Sequence, residues 1–329
     1  MCNNDITPKQ KNQRPVDDFL ARSAEKSWQM QRMIEYGRDV MPEGRRNAAM
    51  GCGKFLTFLH DKDMTTSKLE IGFFCKNRLC PGCAWRKAAH DAVMLSCMLQ
   101  EAAARGYKLF FATLTAKTCK KEDLSSAIEL YDKAYTAMMR TGKFKRLPGA
   151  IRKLEVTYNA EKDWYHPHIH SVWIVNQSWG RRNNPDTITV EELTDAWAHQ
   201  LGGVYAVNAA AQDIRPVKSA TREDIMEFAK YPAKSCEYLH SKEVFETFYY
   251  ALRGIRLITH MRLARQLKRE YKDGLLNHHA EKDETEYYYR SAWAWDVHGY
   301  RLDKLEELSE PMKFAIQDTD ETLEGEKPP

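Results

Sequence analysis

The chain has 329 residues, of which 43% are hydrophobic, and a formal net charge of +4. This composition is typical of a globular protein with a sizeable core, in one large domain or two modest ones. Residues 305–329 are acidic, so the rest of the chain is basic, which favours a polyanionic partner. There is no apolar run for a membrane span or a signal peptide, and the cysteines are clustered, so we expect a cytoplasmic protein.

Two predicted helices flank a cysteine-rich stretch. Residues 1–21 are polar and are predicted to be a disordered arm, and residues 24–40 have the apolar spacing of a helix. A second helix, rich in alanine, leucine and methionine, is predicted over residues 84–105 and is ended by Gly106.

The cysteine-rich stretch has the spacing of a tetrahedral zinc site. The predicted ligands are Cys52, Cys75, Cys80 and Cys83. The Pro-Gly turn between the last two cysteines lets both thiolates face one ion. A predicted hairpin brings Cys52 back to the others, and the alternatives for its place are His60 and His90. Four thiolates leave no open position for a substrate, so we predict that this zinc ion is structural.

From residue 108 onwards, predicted strands alternate with predicted helices. The predicted strands are residues 108–115, 151–158, 164–175 and 205–217. The predicted helices are residues 122–141, residues 189–201 and a segment from Arg222 onwards. Residues 242–272 are predicted to be helical and basic. The aromatic run 287–295 is predicted to be a packed last strand, with base stacking as the alternative.

A pair of histidines points to a metal centre. His168 and His170 share one face of their predicted strand, because side chains alternate along a strand. A turn within residues 159–163 sets Glu155 of the preceding strand opposite His168, so all three side chains project to one face. Two imidazoles and a carboxylate suit Mn²⁺, Mg²⁺ or a similar divalent ion. The alternatives to Glu155 as third ligand are Glu161 and His166.

His278 and His279 have no partner at ligand spacing and are predicted to be surface residues.

A tyrosine downstream of the histidines is a candidate nucleophile. Glu227 and Tyr231 share a helix face at i and i+4, and Lys234 follows at i+3. A tyrosine hydroxyl can attack a phosphodiester, while a neighbouring carboxylate can activate a second nucleophile. The pKa of free tyrosine is about 10, so a metal ion or the Lys234 cation has to assist it. Pro232 disfavours α conformation at Tyr231. Taken alone, the pattern is more typical of a surface helix.

Basic side chains in two regions are candidates for contact with DNA phosphates, although solvent-exposed faces are the alternative. One region is the turn-rich loop 177–185 and the other is the basic region 242–272. The candidates are Arg181, Arg182, Arg256, Arg262 and Lys268.

The order of these motifs resembles that of the rolling-circle replication initiators of small bacterial plasmids. These proteins are a branch of the HUH endonucleases, which are named for two histidines around a hydrophobic residue. The matching features are the cysteine cluster, Phe111–Thr115, Leu154–Tyr158, His166-Pro-His168-Ile-His170, and Glu227-x-x-x-Tyr231-x-x-Lys234. The resemblance covers roughly residues 51–271.

The resemblance implies an α+β fold with a central antiparallel β-sheet, the HUH endonuclease fold. The histidine strand is expected to be central, with helices packed against one face of the sheet and the helix of Tyr231 over the metal. A small four-cysteine zinc-binding module is expected in addition. The predicted domains are an N-terminal arm and helix (1–48), the zinc module with its following helix (49–106), the HUH nicking domain (107–240), a basic helical C-terminal region (241–300) and an acidic tail (301–329).

The resemblance also implies roles for the matching residues. His168 and His170 match metal ligands, Tyr231 matches the nicking tyrosine, and Glu227 matches the carboxylate that activates water at termination in one branch. The ligand role of Glu155 rests on strand pairing. The implied reaction is a metal-dependent nick at the plasmid double-strand origin, with a 5′-phosphotyrosine intermediate and a 3′-hydroxyl primer. The implied partners are origin DNA and the host helicase and polymerase.

Two other functions fit parts of the pattern. A plasmid mobilisation relaxase shares the HUH chemistry, but its tyrosine usually precedes the histidine motif, whereas here the tyrosine follows. A zinc-containing DNA-binding regulator without nuclease activity would need only the cysteines and the basic region.

Overall fold

The structure is a computed structural model that describes residues 15–218, 235–280, 283–296 and 298–313, together with Ile225, Phe228 and Ile316. It divides the chain into two compact units, Met1–Arg86 with Glu281–Pro329, and Lys87–Ala280. Within the described ranges, no helix is long and apolar enough to cross a membrane. The finer domain boundaries that the sequence suggests stay predictions.

The helices and strands follow one another along the described chain. The helices are α1 (Pro15–Tyr36), α2 (Glu43–Met50), α3 (Pro81–Ala104), α4 (Leu124–Met138), α5 (Val190–Gln200), α6 (Ser235–Tyr238), α7 (Lys242–Ala251) and α8 (Leu263–Lys272). The strands are β1 (Phe55–His60), β2 (Ser67–Gly72), β3 (Lys108–Thr115), β4 (Gly149–Asn159), β5 (Trp164–Val175), β6 (Asp213–Pro216), β7 (Ile258–Arg262), β8 (Tyr289–Asp296) and β9 (Gly299–Glu307).

The first unit contains a four-stranded antiparallel sheet in the order β2-β1-β8-β9. Leu56 and Phe58 of β1 are buried against Val16 and Leu20 of α1. Helix α1 already begins at Pro15, since a proline suits the first turn, where its missing N–H would have no partner. The prediction of a disordered arm is therefore wrong for residues 15–21, and the rest of the arm lies outside the described residues. The aromatic run forms strand β8, as favoured from the sequence.

The second unit is built on a five-stranded antiparallel sheet in the order β6-β3-β5-β4-β7. The histidine strand β5 is central and pairs with β3 on one side and β4 on the other. The second half of β5, from Ile169 to Val175, is mostly apolar and buried. Such a composition suits a strand with neighbours on both sides. Antiparallel sheets with packed helices confirm the α+β class.

Helices cover both faces of this sheet in the part of the chain that the structure describes. On one face, Tyr135 of α4 shares a 2.7 Å hydrogen bond with Ser171 of β5, and α5 and α7 pack beside α4. On the other face, α3 and α8 pack against Ile151 and Val172. The expectation that helices other than the Tyr231 helix pack against one face only is therefore wrong. The second layer follows from α3, whose apolar side chains Leu95 and Leu99 are fully buried there.

Two predicted elements differ from the structure. The helix predicted over residues 242–272 is interrupted: α7 ends at Ala251, and β7 then pairs with β4 before α8 begins. Gly254 has a φ of +76°, a left-handed conformation that ends the helix, and the β-branched residues that follow favour a strand. The strand predicted over residues 205–217 is shortened to Asp213–Pro216.

Candidate active site and metal centres

The β4–β5 hairpin brings one carboxylate and two imidazoles together. Glu155 lies directly opposite His168 in the register of the two strands, which confirms the predicted pairing. The nearest carboxylate oxygen, Oε2, lies 4.0 Å from Nε2 of His168 and 3.7 Å from Nε2 of His170. One ligand atom from each of the three residues lies within 4.8 Å of the other two, so the cluster could hold a metal ion.

Contacts at the Nδ1 atoms of the two imidazoles orient their Nε2 atoms towards the carboxylate of Glu155. Nδ1 of His168 donates to the main-chain oxygen of His166 at 3.1 Å, which leaves the Nε2 lone pair free. Nδ1 of His170 lies 3.4 Å from Oγ1 of Thr113. Such partners fix the tautomer and orientation of a histidine ligand.

The two alternatives for the third ligand are placed differently. Nε2 of His166 is hydrogen-bonded to the Thr115 hydroxyl, and Glu161 lies exposed in the hairpin turn. The structure groups neither of them with His168 and His170. Glu155 is therefore the carboxylate that the described fold offers to the two histidines.

The electrostatics of the cluster suit a metal. Burial, together with His168, lowers the pKa of His170 to about 4, and burial also lowers the pKa of His168. Both rings are therefore neutral at pH 7, which is the metal-binding form. Burial opposes ionisation of Glu155, but the cation of Lys153 outweighs it and holds the Glu155 pKa below its usual range.

Lys153 is a member of this site that the sequence analysis missed. Its side chain is 1% exposed, and Nζ lies 3.0 Å from Oε2 of Glu155. The available signal was its position two residues before Glu155 in the same strand, which puts both side chains on one face. Lysine is almost never fully buried without a partner, so its residue type alone predicts that Lys153 is exposed to solvent.

Two described residues close in sequence to the candidate nucleophile lie on the same face of the sheet. Glu227, Tyr231 and Lys234 lie outside the described residues. Ile225 and Phe228, in the same segment, are described and buried, and they pack with Val172 of β5. The ring centroid of Phe228 lies 6.1 Å from that of Phe111. Phe111 is two residues before Thr113, the partner of His170, and so shares its face.

The four predicted cysteines meet in the first unit. Sγ of Cys52 lies 3.6 Å from Sγ of Cys80 and 3.5 Å from Sγ of Cys83, and the Cys75 and Cys83 sulfurs lie 3.7 Å apart. Sulfurs bound at about 2.3 Å to one tetrahedral ion are roughly 3.8 Å apart, so the cluster could hold such an ion.

Cys52 occupies the fourth position of this cluster. His60, one alternative, is hydrogen-bonded through Nε2 to Ser291 at 2.7 Å instead. His90, the other, does not join the cysteine group. Cys52 precedes strand β1 and Cys75 follows strand β2, so the antiparallel pairing of these two strands brings the two cysteines together. The main-chain N–H of Cys75 donates to the Cys52 sulfur at 3.4 Å.

The candidate DNA contacts differ in how their charges are used. Arg181, Arg182 and Arg256 are exposed, and Lys268 is partly buried. Arg262 is also exposed, but its guanidinium donates to the main-chain oxygens of Met139, Phe144 and Leu147. These bonds tie the end of β7 to the loop after α4, so the Arg262 guanidinium serves the fold.

Comparisons with known proteins decide the family. The family model described as "Replication protein" matches residues 66–301, most of the chain. The chain belongs to this replication-protein family. Its match spans the cysteine module after Cys52, the histidine hairpin and strand β8. The resemblance to plasmid rolling-circle replication initiators, drawn from the order of the motifs, is thereby confirmed.

Several bacterial relatives are similar to the chain over most of their length. The chain is 32% identical to a Protein rep of Staphylococcus aureus over 225 residues, 68% of this chain and 96% of the relative. It is 30% identical to a Protein rep of Lactiplantibacillus plantarum over 259 residues, 73% of this chain and 81% of the relative. A Protein rep of Streptococcus pneumoniae is 29% identical over 222 residues, 66% and 69% of the two chains. No solved structure matches the chain.

Proposed function

We propose that this replication protein is an origin-specific, metal-dependent nickase and strand transferase that starts rolling-circle replication of a plasmid. The observation that carries the proposal is the cluster of Glu155, His168 and His170 on the sheet face against which Phe228 packs. Tyr231 follows Phe228 by three positions in the sequence. The metal ligands and Phe228, a described sequence neighbour of the candidate nucleophile, thus lie on one face of the sheet, which supports the proposal.

The donor set fits a divalent ion. Two neutral imidazoles with free Nε2 atoms and one ionised carboxylate suit Mn²⁺ or Mg²⁺, and three protein ligands leave positions open for phosphate oxygens. A bound ion would polarise the scissile phosphate and offset the charge that develops during attack. His168, His170 and Glu155 would hold it, and the buried Lys153 cation beside Oε2 of Glu155 would compete with it for that oxygen.

In the proposed reaction, the phenolic oxygen of Tyr231 attacks the phosphorus atom and loses its proton. The bond from phosphorus to the 3′ oxygen breaks, and that oxygen leaves as a protonated 3′-hydroxyl, the primer for synthesis. One phosphodiester is thus exchanged for a 5′-phosphotyrosine. Lys234 favours the ionised phenol by its positive charge, and Glu227 activates water to end the cycle.

The exposed basic residues supply the proposed contact with origin DNA. Arg181, Arg182 and Arg256 are exposed guanidinium groups that suit phosphate oxygens. In the family's reaction the host helicase and polymerase act on the nicked plasmid, and we propose them as partners. The four cysteines are proposed to hold a structural Zn²⁺, since thiolate ligands favour that ion.

Two alternatives remain as outcomes to be tested. Membership of the replication-protein family supports replication over plasmid mobilisation. A DNA-binding regulator without nuclease activity would not need Glu155, His168 and His170. The two neutral imidazoles nevertheless face one carboxylate, as in a metal site.

The test is nicking of a supercoiled plasmid that carries the cognate origin, in the presence of Mn²⁺ or Mg²⁺. Tyr231→Phe is expected to abolish nicking and the covalent 5′ adduct, while Tyr250→Phe, an exposed tyrosine on α7, is the matched control and should nick normally. A 5′ adduct in Tyr231→Phe would overturn the assignment of the nucleophile.

Two further variants separate the proposed roles. His168→Ala should lose metal-dependent nicking, and Glu227→Ala should still nick but accumulate covalent protein–DNA product, because water is no longer activated. Origin binding without any nicking by the wild-type protein under all metal conditions would favour the regulator.

A further inference from the structure

A second cluster of histidines and a carboxylate lies in the Lys87–Ala280 unit, outside the candidate active site. His278 and His279 follow helix α8, and their Nε2 atoms lie 3.4 and 2.7 Å from Oε2 of Glu101 in α3. The prediction that these histidines have no partner is therefore wrong. Glu101 precedes His279 by 178 residues, so only the fold brings the two residues together.

The core holds this cluster in place. Leu276, just before the histidines, is 1% exposed and belongs to the core between α3 and α8, and Ala280, just after them, packs against the same core. The two imidazole centroids lie 4.1 Å apart, and both Nε2 atoms face the same oxygen of Glu101. The His279 side chain is 16% exposed and that of His278 is 61% exposed, so the cluster is open to solvent on one side.

The charges around the cluster leave one net negative charge. The other oxygen of Glu101 accepts from Nε of Arg105 at 2.7 Å. Arg105 also forms a bidentate pair with Glu270, so its positive charge is balanced by a second carboxylate. Arg105 and His279 thus contact the two different oxygens of the Glu101 carboxylate.

We propose that Glu101, His278 and His279 form a second metal site, which takes a transition-metal ion of the Zn²⁺, Ni²⁺ or Cu²⁺ class. Imidazole is a good ligand for these ions, and the affinity of a nitrogen and oxygen donor set rises along the first-row series towards Ni²⁺ and Cu²⁺. Ligand atoms bound at about 2.1 Å to one ion lie roughly 3 to 3.5 Å apart. The distance of 3.4 Å from His278 to Glu101 already fits, and the 2.7 Å hydrogen bond of His279 opens by a few tenths of an ångström when its proton is replaced by the ion.

The arrangement has the outer contacts of a built site. Arg105 holds one carboxylate oxygen, which orients the other towards the imidazoles, and such outer partners tune metal affinity. An ion bound here would cross-link α3 to the segment after α8. The site is therefore expected to stabilise the second unit rather than to act on DNA.

Calorimetric titration with Ni²⁺ tests the site. The protein used is the full, untagged chain with His168→Ala and His170→Ala, purified with its cysteine-bound metal, so that the candidate active site does not contribute. One Ni²⁺ per chain is expected to bind. Adding His278→Ala should weaken this binding by at least about tenfold, equivalent to about 1.4 kcal/mol. Adding His199→Ala, an exposed histidine at the end of α5, is the matched control and should change nothing.

A second measurement guards against misfolded variants. Ni²⁺ should raise the unfolding temperature of the His168→Ala, His170→Ala protein and of its His199→Ala derivative, but not that of the His278→Ala derivative. Absence of binding at millimolar Ni²⁺, or equal affinity with and without His278, would overturn the proposal and leave an ion-pair network only. Because the active-site histidines are removed beforehand, neither result depends on the proposed nicking activity.

Discussion

Nζ of Lys153 lies 3.0 Å from Oε2 of Glu155, and both side chains project from β4 onto the face that carries His168 and His170. The lysine is 1% exposed, so its charge has little solvent to screen it. A buried cation therefore neighbours the same carboxylate oxygen that faces the two imidazoles. The Lys153 ammonium and a divalent ion compete for one negative charge.

Replacement of this lysine should tighten metal binding and weaken the metal-free fold. In Lys153→Met, a divalent ion no longer meets a neighbouring positive charge, so we expect several-fold higher affinity for Mn²⁺, or about 1 kcal/mol. Without metal, the buried Glu155 loses its ion-pair partner, which should cost roughly 2–3 kcal/mol of unfolding free energy. Calorimetry with Mn²⁺ and urea unfolding in a chelator measure the two effects.

The matched control for that variant is Lys162→Met, a change in the exposed turn of the same hairpin. It should alter neither quantity, because surface charges contribute little. If Lys153→Met instead binds Mn²⁺ more weakly, Lys153 positions Glu155 for the ion rather than competing with it.

Substitution of Arg262 should affect the stability of the protein, whereas substitution of Arg256 should affect DNA binding. Arg262→Ala removes hydrogen bonds to three main-chain oxygens and should lower the unfolding free energy by about 1–2 kcal/mol. We expect the dependence of origin binding on salt to stay unchanged. Arg256→Ala should do the reverse, with little loss of stability and a smaller salt slope, by about one unit.

Urea unfolding and origin binding at several salt concentrations measure both effects. A reduced salt slope in folded Arg262→Ala would mean that Arg262 contacts phosphate despite its main-chain bonds.

The cysteine cluster predicts a metal-dependent fold of the first unit. Cys80→Ser removes one of four convergent sulfurs, so the purified protein should lose about one equivalent of zinc. Protease cleavage within residues 43–86 should become faster as the unit loses its cross-link. Cys97→Ser, a change at a buried cysteine of the second unit outside the cluster, is the control and should leave the zinc content unchanged. Full zinc content in Cys80→Ser would show that another donor replaces this thiolate.

Local patterns in the sequence predicted the elements that build the candidate active site. The bounds predicted for β3 and β5 coincide with the observed strands, because β-branched and aromatic residues there are bounded by turn residues. The pairing of Glu155 with His168 was predictable because a short turn leaves little choice of register.

Contacts between distant segments were not predictable in this way. No local signal links Glu101 to His279, because the contact depends on how α3 packs against the segment after α8. Lys153 reads as a surface residue, since only its ion pair with Glu155 makes its burial tolerable. Strand β7 has apolar residues at helical spacing, and pairing with β4 overrides that pattern.

His260 of β7 should make the stability of the second unit depend on pH. Its side chain is buried, and burial, reinforced by the charges of Lys268 and Arg265, lowers its pKa from 6.5 to about 4. The unfolded chain therefore binds a proton between these values while the folded chain does not, so stability falls as the pH drops from 6.5 towards 4. From pH 7 to 4.5 we expect His260 to account for about 2 kcal/mol of the loss. Urea unfolding of wild type and His260→Leu at both pH values measures this share, with His199→Leu as the exposed control. An equal loss in His260→Leu would assign the pH dependence to the other buried histidines.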